Sequence, residues 1–449
     1  MHRIGTTAAL SLLVTALPAA VWAQGSGARP NIVLIMTDDA GYGDFGSYGA
    51  PDIRTPNIDS LARDGVRFTD FYANGATCSP TRAALISGRY QQRVEIEAPL
   101  GGSRDFERGL PVSGRSLPQL LKNGGYVTAL IGKWHLGYRP EFSANAHGFD
   151  YFLGFKSGYS DYWQHTAGSD SPLTADLFEN ERPVEIPGYL TDVFTERSVR
   201  FIEQNASRPF FIDVAYNAPH WPYQDPDRQS VAHDKARHLG PFDNPTNSRA
   251  DYVKMVERVD RGVGQILATL DRLGLRQNTI VIFTNDNGGE WLSNGGPLFH
   301  HKGSVWEGGI RVPAIIRWPV LLRPGTVTSQ VGITMDLAAS LLAATGTSVP
   351  RDARLDGINL FPILEGRATP VERTLFWRVP GQRPQQAVRS GDWKLVMDGG
   401  RALLFDLRTD VGERTNLIAK RPDVASQLRQ TLTAWQREVD EEAKSPAKK

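Results

Sequence analysis

Asn31-Ile32-Val33-Leu34-Ile35-Met36-Thr37-Asp38-Asp39 is an apolar run, rich in β-branched side chains, that ends on two carboxylates. A short run with no polar alternation suits a strand covered on both faces, as in a parallel sheet. Three more stretches read the same way: residues 126–131 (YVTALI), 209–216 (PFFIDVAY) and 279–284 (TIVIFT). Each is followed by chemistry-bearing residues: Lys133-Trp134-His135, then His220 after Asn217-Ala218-Pro219, then Asn285-Asp286-Asn287. Ligands of open α/β sheets bind beyond the carboxyl ends of the strands. The pattern therefore predicts a large, mostly parallel sheet flanked by helices, with a site across four strand ends.

Helices fill the intervals. Residues 252–273 carry Val253, Val256, Val259, Val263, Ile266, Leu267, Leu270 and Leu273 at helical spacing, and Gly274 is placed to end that helix. Asp192 reads as the cap of a helix running through Phe201 and Ile202, and residues 337–344 as another buried helix. Past about residue 365 the pattern changes. Thr374–Val379 and residues 386–396 and 402–407 read as three short strands joined by Gly- and Asp-containing turns. A helix over about 423–439 and a frayed tail from Ala443 to Lys449 follow. The division is thus a main domain over 24–365 and a small antiparallel sheet plus helix over 366–449.

Residues 1–23 read as a signal peptide. His2 and Arg3 precede an apolar stretch from Ala8 to Ala20, and Val21-Trp22-Ala23 resembles a small-x-small cleavage site. The stretch is short for a membrane span, and no other segment suits one. The expected location is periplasmic or extracellular, with a mature chain starting near Gln24. The 449 residues, 40% hydrophobic and 22% charged, suffice for a large core. A formal net charge of +1 with no long basic stripe gives no sign of a nucleic-acid partner. An anionic substrate would be held by a few local cations.

Cys78 is the single cysteine, so no internal disulfide forms. A lone cysteine in an exported chain is either buried and inert or chemically special. It opens Cys78-Ser79-Pro80-Thr81-Arg82, followed by Ala83-Ala84-Leu85-Ile86-Ser87-Gly88-Arg89. Proline is tolerated in a first helical turn, and Ala-Ala-Leu-Ile continues the helix. Cys78 is therefore expected at a helix N-terminus, where free N–H groups favour anions. Arg82, one turn on, can donate a fork of hydrogen bonds to the same anion.

Cys-x-Pro-Ser/Thr-Arg with a hydroxyl residue, Gly and Arg shortly after resembles the maturation signature of the type I, formylglycine-dependent sulfatases. Thr81 stands where serine is commoner and Ser87 where threonine is commoner; both keep the hydroxyl. Gly125-Tyr126-Val127-Thr128 with Gly132-Lys133-Trp134-His135-Leu136-Gly137 is similar to the family's second hallmark. Pro219-His220, Asn285-Asp286-Asn287-Gly288-Gly289, Lys302 ahead of Trp306-Glu307-Gly308-Gly309-Ile310-Arg311-Val312-Pro313, and Phe405-Asp406-Leu407 with Glu413 and Asn416-Leu417 extend the likeness over nearly the whole mature chain.

The resemblance implies an alkaline-phosphatase-like fold and sulfate monoester hydrolysis. It also implies oxidation of Cys78 to formylglycine by a formylglycine-generating or anaerobic sulfatase-maturing enzyme. The hydrated aldehyde has two hydroxyls, one to attack the ester and one to expel sulfate, which splits the reaction into two manageable steps. By the same resemblance Asp286 assists deprotonation of the attacking hydroxyl, and Lys302 with His220 protonates or stabilises the leaving oxygen. His135 removes the second proton, Lys133 steadies the hydrate and the sulfate, and Arg82 holds the hydrate.

Asp38, Asp39, Asp286 and Asn287 supply only oxygen ligands, which suits a hard cation, Ca²⁺ or Mg²⁺, and disfavours zinc. Paired aspartates after a strand can also cap a helix or open a turn. The family places its metal on these residues and at the Cys78 position, and its usual ion is calcium. His147, His165, His233 and His238 read as structural. His300 and His301 either line the pocket or shape the Lys302 loop. Tyr159, Tyr162, Trp163 and His165, within residues 155–170, form either an aromatic substrate wall or ordinary packing; Trp221 and Tyr223 give a second aromatic group. The expected substrate is a sulfated carbohydrate or an aryl sulfate. Two other readings stand beside this one: a phosphodiester or phosphonate monoester hydrolase of the same superfamily, and a non-catalytic binder of sulfated glycans.

Overall fold

The structure, a computed structural model, is described over residues 29–167, 175–228 and 248–444. The segment read as a signal peptide, His233, His238 and the end of the tail lie outside the described residues.

The run Asn31–Thr37 forms a strand whose alternate side chains enter two cores. Ile32, Leu34 and Met36 pack with Leu85 and Ile86 of helix Cys78–Ser87 and with Leu337 and Leu341 of helix Thr334–Ala344. Val33 and Ile35 pack with Phe194 of helix Leu190–Gln204 and with Val259 and Val263 of helix Arg249–Arg272. Both faces are thus dry, which is why the run lacks alternation. Among the described residues the sheet has ten strands, ordered Thr326–Thr328, Val66–Phe68, Ala314–Arg317, Thr279–Asn285, Asn31–Thr37, Phe210–Ala215, Val127–Lys133, Tyr151–Phe155, Phe178–Glu179 and Arg182–Pro183. The five strands from Thr279–Asn285 to Tyr151–Phe155 are mutually parallel, and antiparallel pairing begins on either side of them. All four runs singled out above lie in that parallel block.

Helix Arg249–Arg272 starts where the Ser248 side chain accepts from Asp251 N, and Gly274 follows its end at φ +70. Asp192 does not cap its helix. The helix begins at Leu190 without a side-chain cap, and Asp192 lies in the first turn. Its carboxylate instead takes Arg258 at 2.6 and 2.5 Å, tying the two long helices together.

The C-terminal sheet has four antiparallel strands, not three: Thr374–Val379, Gln385–Ser390, Trp393–Asp398 and Arg401–Asp406. The stretch read as one strand over 386–396 folds back between Ser390 and Trp393, which pair across a two-residue turn with Gly391 at φ +56. Helix Pro422–Lys444 lays Leu428, Leu432, Trp435 and Val439 on this sheet, with Trp435 stacked on Phe376 at 4.9 Å. Among the described residues no helix is long and apolar enough to cross a membrane.

Candidate active site

In the register of the central strands Thr37 lies beside Asn285, so Asp38-Asp39 and Asp286-Asn287 leave the sheet side by side. Two close backbone approaches complete the floor. Gly132, at φ +127, sits where a Cβ would fall 1.9 Å from the Ala215 carbonyl oxygen. Strand Val127–Lys133 is thereby pressed against Phe210–Ala215 just before Lys133. A Cβ on Gly288 would fall 1.9 Å from the Gly308 carbonyl oxygen, so the chain after Asn287 crosses the Trp306–Gly309 segment and brings the Lys302 loop alongside. Asp39 (φ 64) and His135 (φ 52) hold left-handed backbone, a strained state for non-glycine residues that is typical of functional positions.

Cys78 opens its helix, as expected, and is buried with Sγ 3.6 Å from Asp38 Oδ1. The other Asp38 oxygen takes Lys133 Nζ at 2.5 Å, both groups having no solvent exposure. Arg82 turns away from Asp38 (3.9 Å) and onto Asp286, donating Nε and Nη2 to one carboxylate oxygen at 3.1 and 2.9 Å. Its Nη1 donates to the Lys133 carbonyl at 3.0 Å, fastening the helix to the strand end. Asp39 accepts from Lys302 Nζ at 2.6 Å and from Asn287 Nδ2 at 2.7 Å, and lies 3.4 Å from His220 Nε2. His220 Nδ1 donates to the Trp221 carbonyl at 2.5 Å, which leaves Nε2 as the acceptor facing Lys302 Nζ at 3.4 Å. His135 Nε2 is held by the Leu100 carbonyl at 3.0 Å, and its buried Nδ1 has no partner.

The sequence reading missed Glu290. Its carboxylate takes Lys302 Nζ at 3.0 Å, and the one available signal was its place directly after Asp286-Asn287-Gly288-Gly289. Of the loop aromatics, Tyr162 is fully buried and stacked on Tyr189, and Trp163 meets the same ring edge-on. His165 is anchored on the Gly188 carbonyl. These three are packing. Tyr159 is different: it lies parallel to His220 at 6.0 Å and against Trp221 at 4.1 Å. Tyr223 is buried against Tyr252. His300 and His301 are exposed and lie 4.8 Å apart. His147 is buried edge-on to Trp134.

Burial pushes Asp38 up to about 8, helped by the Asp286 and Asp39 carboxylates against Lys133. Burial also pushes Asp39 up, but the Lys302 and Lys133 ammonium groups outweigh it and hold that carboxyl well below its usual range. Both imidazoles are pushed well down by burial, with Lys133 adding to the effect, and are neutral. Burial works against the Lys302 ammonium, yet the Asp39 and Glu290 carboxyl groups hold it charged.

Ligand atoms of Asp38, Asp39, Cys78 and His220 lie within 4.8 Å of one another, a group able to hold a metal ion. Four carboxyl groups, on Asp38, Asp39, Asp286 and Glu290, face three cationic side chains, Arg82, Lys133 and Lys302. A divalent cation would supply the positive charge that the crowded Asp38 carboxyl lacks and that a singly charged ester needs. Asn287 Oδ1, buried and without a hydrogen-bond partner, is a further oxygen donor at the same place. The donor set fits a hard cation.

The family model for sulfatases matches residues 30–347, and the model for the C-terminal region of N-sulphoglucosamine sulphohydrolase matches residues 295–438. The chain belongs to the sulfatase family. N-acetylgalactosamine-6-sulfatase of Canis lupus familiaris is 34% identical over 400 residues, which are 84% of this sulfatase and 74% of that one. Arylsulfatase A of Homo sapiens is 34% identical over 457 residues, 89% and 86% of the two chains. The solved structure of Ps i-CgsB in complex with k-i-k-neocarrahexaose aligns with a TM-score of 0.83 at 31% identity, covering 91% of this chain and 92% of that one. The large mixed sheet with its small C-terminal partner is the alkaline-phosphatase-like fold of these enzymes. The sulfatase hydrolyses sulfate esters, and its family works with a formylglycine and a divalent metal.

Proposed function

We propose that this sulfatase cleaves sulfate monoesters of a glycan through a formylglycine made from Cys78, with Ca²⁺ or Mg²⁺ held by Asp38, Asp39, Asp286, Asn287 and the position-78 side chain. The observation that carries the reading is the convergence of Asp38, Asp39, Cys78 and His220 within 4.8 Å, ringed by Lys133, Lys302 and Arg82. Burial pushes the Cys78 thiol far above its usual range, so the unmodified residue is a poor nucleophile there. When present, the ion neutralises a sulfate oxygen and the hydrated aldehyde furnishes the attacking and expelling hydroxyls.

The chain's own residues do the rest. Arg82, fixed on Asp286 and the Lys133 carbonyl, sets the first helical turn that carries residue 78. Lys133 and Lys302 present two ammonium groups to the sulfate. Lys302, charged and donating toward neutral His220, is the proton source for the leaving oxygen. Asp286 assists deprotonation of the attacking hydroxyl. His135, its Nε2 held as donor by Leu100, offers Nδ1 as the base for the second proton. Tyr159 and Trp221 give a sugar ring a flat apolar face beside His220. A glycan substrate is supported by the likeness to N-acetylgalactosamine-6-sulfatase and to the structure of Ps i-CgsB in complex with k-i-k-neocarrahexaose. Export follows from residues 1–23, and maturation then requires a formylglycine-generating or anaerobic sulfatase-maturing enzyme. The catalytic unit is residues 24–365 and the accessory sheet and helix 366–449.

The test is the mass of the peptide containing position 78 from the native host, followed by turnover of sulfated sugars, aryl sulfates and aryl phosphates. An aldehyde or its hydrate, with sulfate esters preferred, is expected. Active protein with an unmodified thiol overturns the aldehyde route, and preference for phosphate esters overturns the assignment of substrate.

A further inference from the structure

One buried carboxylate has no place in this chemistry. Asp213 stands in the middle of the apolar strand Phe210–Ala215, flanked by Leu34 and Leu130 of the neighbouring strands. It is 4% exposed and its Oδ1 has no hydrogen-bond partner. Strand alternation turns it with Phe211 toward helix Cys78–Ser87, away from Ile212 and Val214. On that side it shares a cavity of about 10 Å³ with Arg82, Lys133 and the apolar walls Met36, Leu85 and Trp134. That volume admits a single water molecule. The guanidinium has five N–H donors, and its bonds to Asp286 and to the Lys133 carbonyl use three of them. A leucine would fill the Asp213 position at lower cost, because a buried carboxylate without a full set of partners is unfavourable. Burial pushes Asp213 up to about 7, and Arg82 is the charge that draws it back down.

We propose that Asp213 is a positioning residue for Arg82: one water in this cavity accepts from the guanidinium and donates to Asp213 Oδ1, clamping Arg82 from behind while Asp286 holds its other edge. Asp213 acts only through Arg82 and touches neither substrate nor metal. The inference rests on the sulfatase reading of Arg82.

The experiment uses matured, metal-loaded enzyme, with formylglycine content measured for every variant. Asp213→Leu is expected to keep or raise Tm, since it removes a buried charge from an apolar strand. Its kcat is expected to fall roughly 10- to 100-fold, the range for groups that orient a contact residue, while KM stays within about twofold. Asp213→Asn, which can still accept from the water, is expected to retain an intermediate kcat and keeps the test open should the leucine variant not fold. A wild-type crystal structure is expected to show one ordered water bonded to both side chains. Unchanged kcat at full formylglycine content, parallel loss of Tm and kcat in both variants, or a dry cavity overturns the proposal. If the wild-type enzyme turns over no sulfate ester, it is the functional reading that fails, and the crystallographic water still decides the clamp.

Discussion

Lys302→Met separates the two tasks assigned to that ammonium. Nζ lies 2.6 Å from Asp39, 3.0 Å from Glu290 and 3.4 Å from His220 Nε2, so its removal strips a charge from the pocket and a proton from the leaving-group side. The first loss is one charge-assisted interaction with the sulfate, worth about 1.5–3 kcal/mol, or roughly 10- to 100-fold, and it falls equally on every ester. The second applies only where the departing oxygen needs a proton; general acid catalysis contributes about 10²- to 10⁴-fold. Turnover of 4-nitrophenyl sulfate should therefore drop roughly 10- to 100-fold and that of a monosaccharide sulfate roughly 10³- to 10⁶-fold. The assay is kcat/KM for both esters at one pH and one metal concentration, with formylglycine content matched to wild type. Equal losses on the two substrates refute the proton-donor role and leave Lys302 as a charge alone.

Lys394→Met tests the buried ion triad behind the Lys302 loop. Lys394 lies 2.7 Å from Glu307 and 2.9 Å from Glu413, all three unexposed, so urea unfolding should show a loss of about 3–5 kcal/mol. Gly132→Ala forces a Cβ against the Ala215 carbonyl at positive φ and should cost at least about 3 kcal/mol, read as loss of soluble folded protein and of the thermal transition. His147→Leu should flatten the acid side of the stability curve. Burial pushes the His147 imidazole down to about 4 from 6.5, so the unfolded chain binds the extra proton between those values; the contribution is full above pH 6.5 and is lost as pH falls through 4. Wild type should lose about 3 kcal/mol more than the variant between pH 7 and 4 in urea titrations, and parallel curves would contradict this.

The strand ends were legible because burial on both faces imposes an uninterrupted apolar run, and such a run stops where the chain must meet water or chemistry. Asn31–Thr37 ends at Asp38 for that reason, and Thr279–Asn285 likewise opens onto Asp286. The start of the Cys78 helix was legible from Pro80 and the Ala-Ala-Leu-Ile run, which are local preferences of the backbone. The hairpin at Gly391-Asp392 was not: apolar residues continue on both sides of it, and only pairing of Ser390 with Trp393 reveals the reversal. Asp192 resembles a cap by residue type, yet Arg258, 66 residues away, claims its carboxylate.

By itself the sequence determined the two dry faces of the central strands, the helix that begins at Cys78, and the residue types gathered at the strand ends. Each depends on the preferences of a few neighbouring residues. Only the tertiary structure decided that Arg82 grips Asp286 rather than Asp38, that Glu290 shares Lys302 with Asp39, and that Asp213 faces Arg82 across a cavity. Those choices follow from strand order and register, which bring together side chains from 12 to 263 positions apart, and a hydrogen bond or ion pair is settled by distances of a few tenths of an ångström that no local pattern encodes.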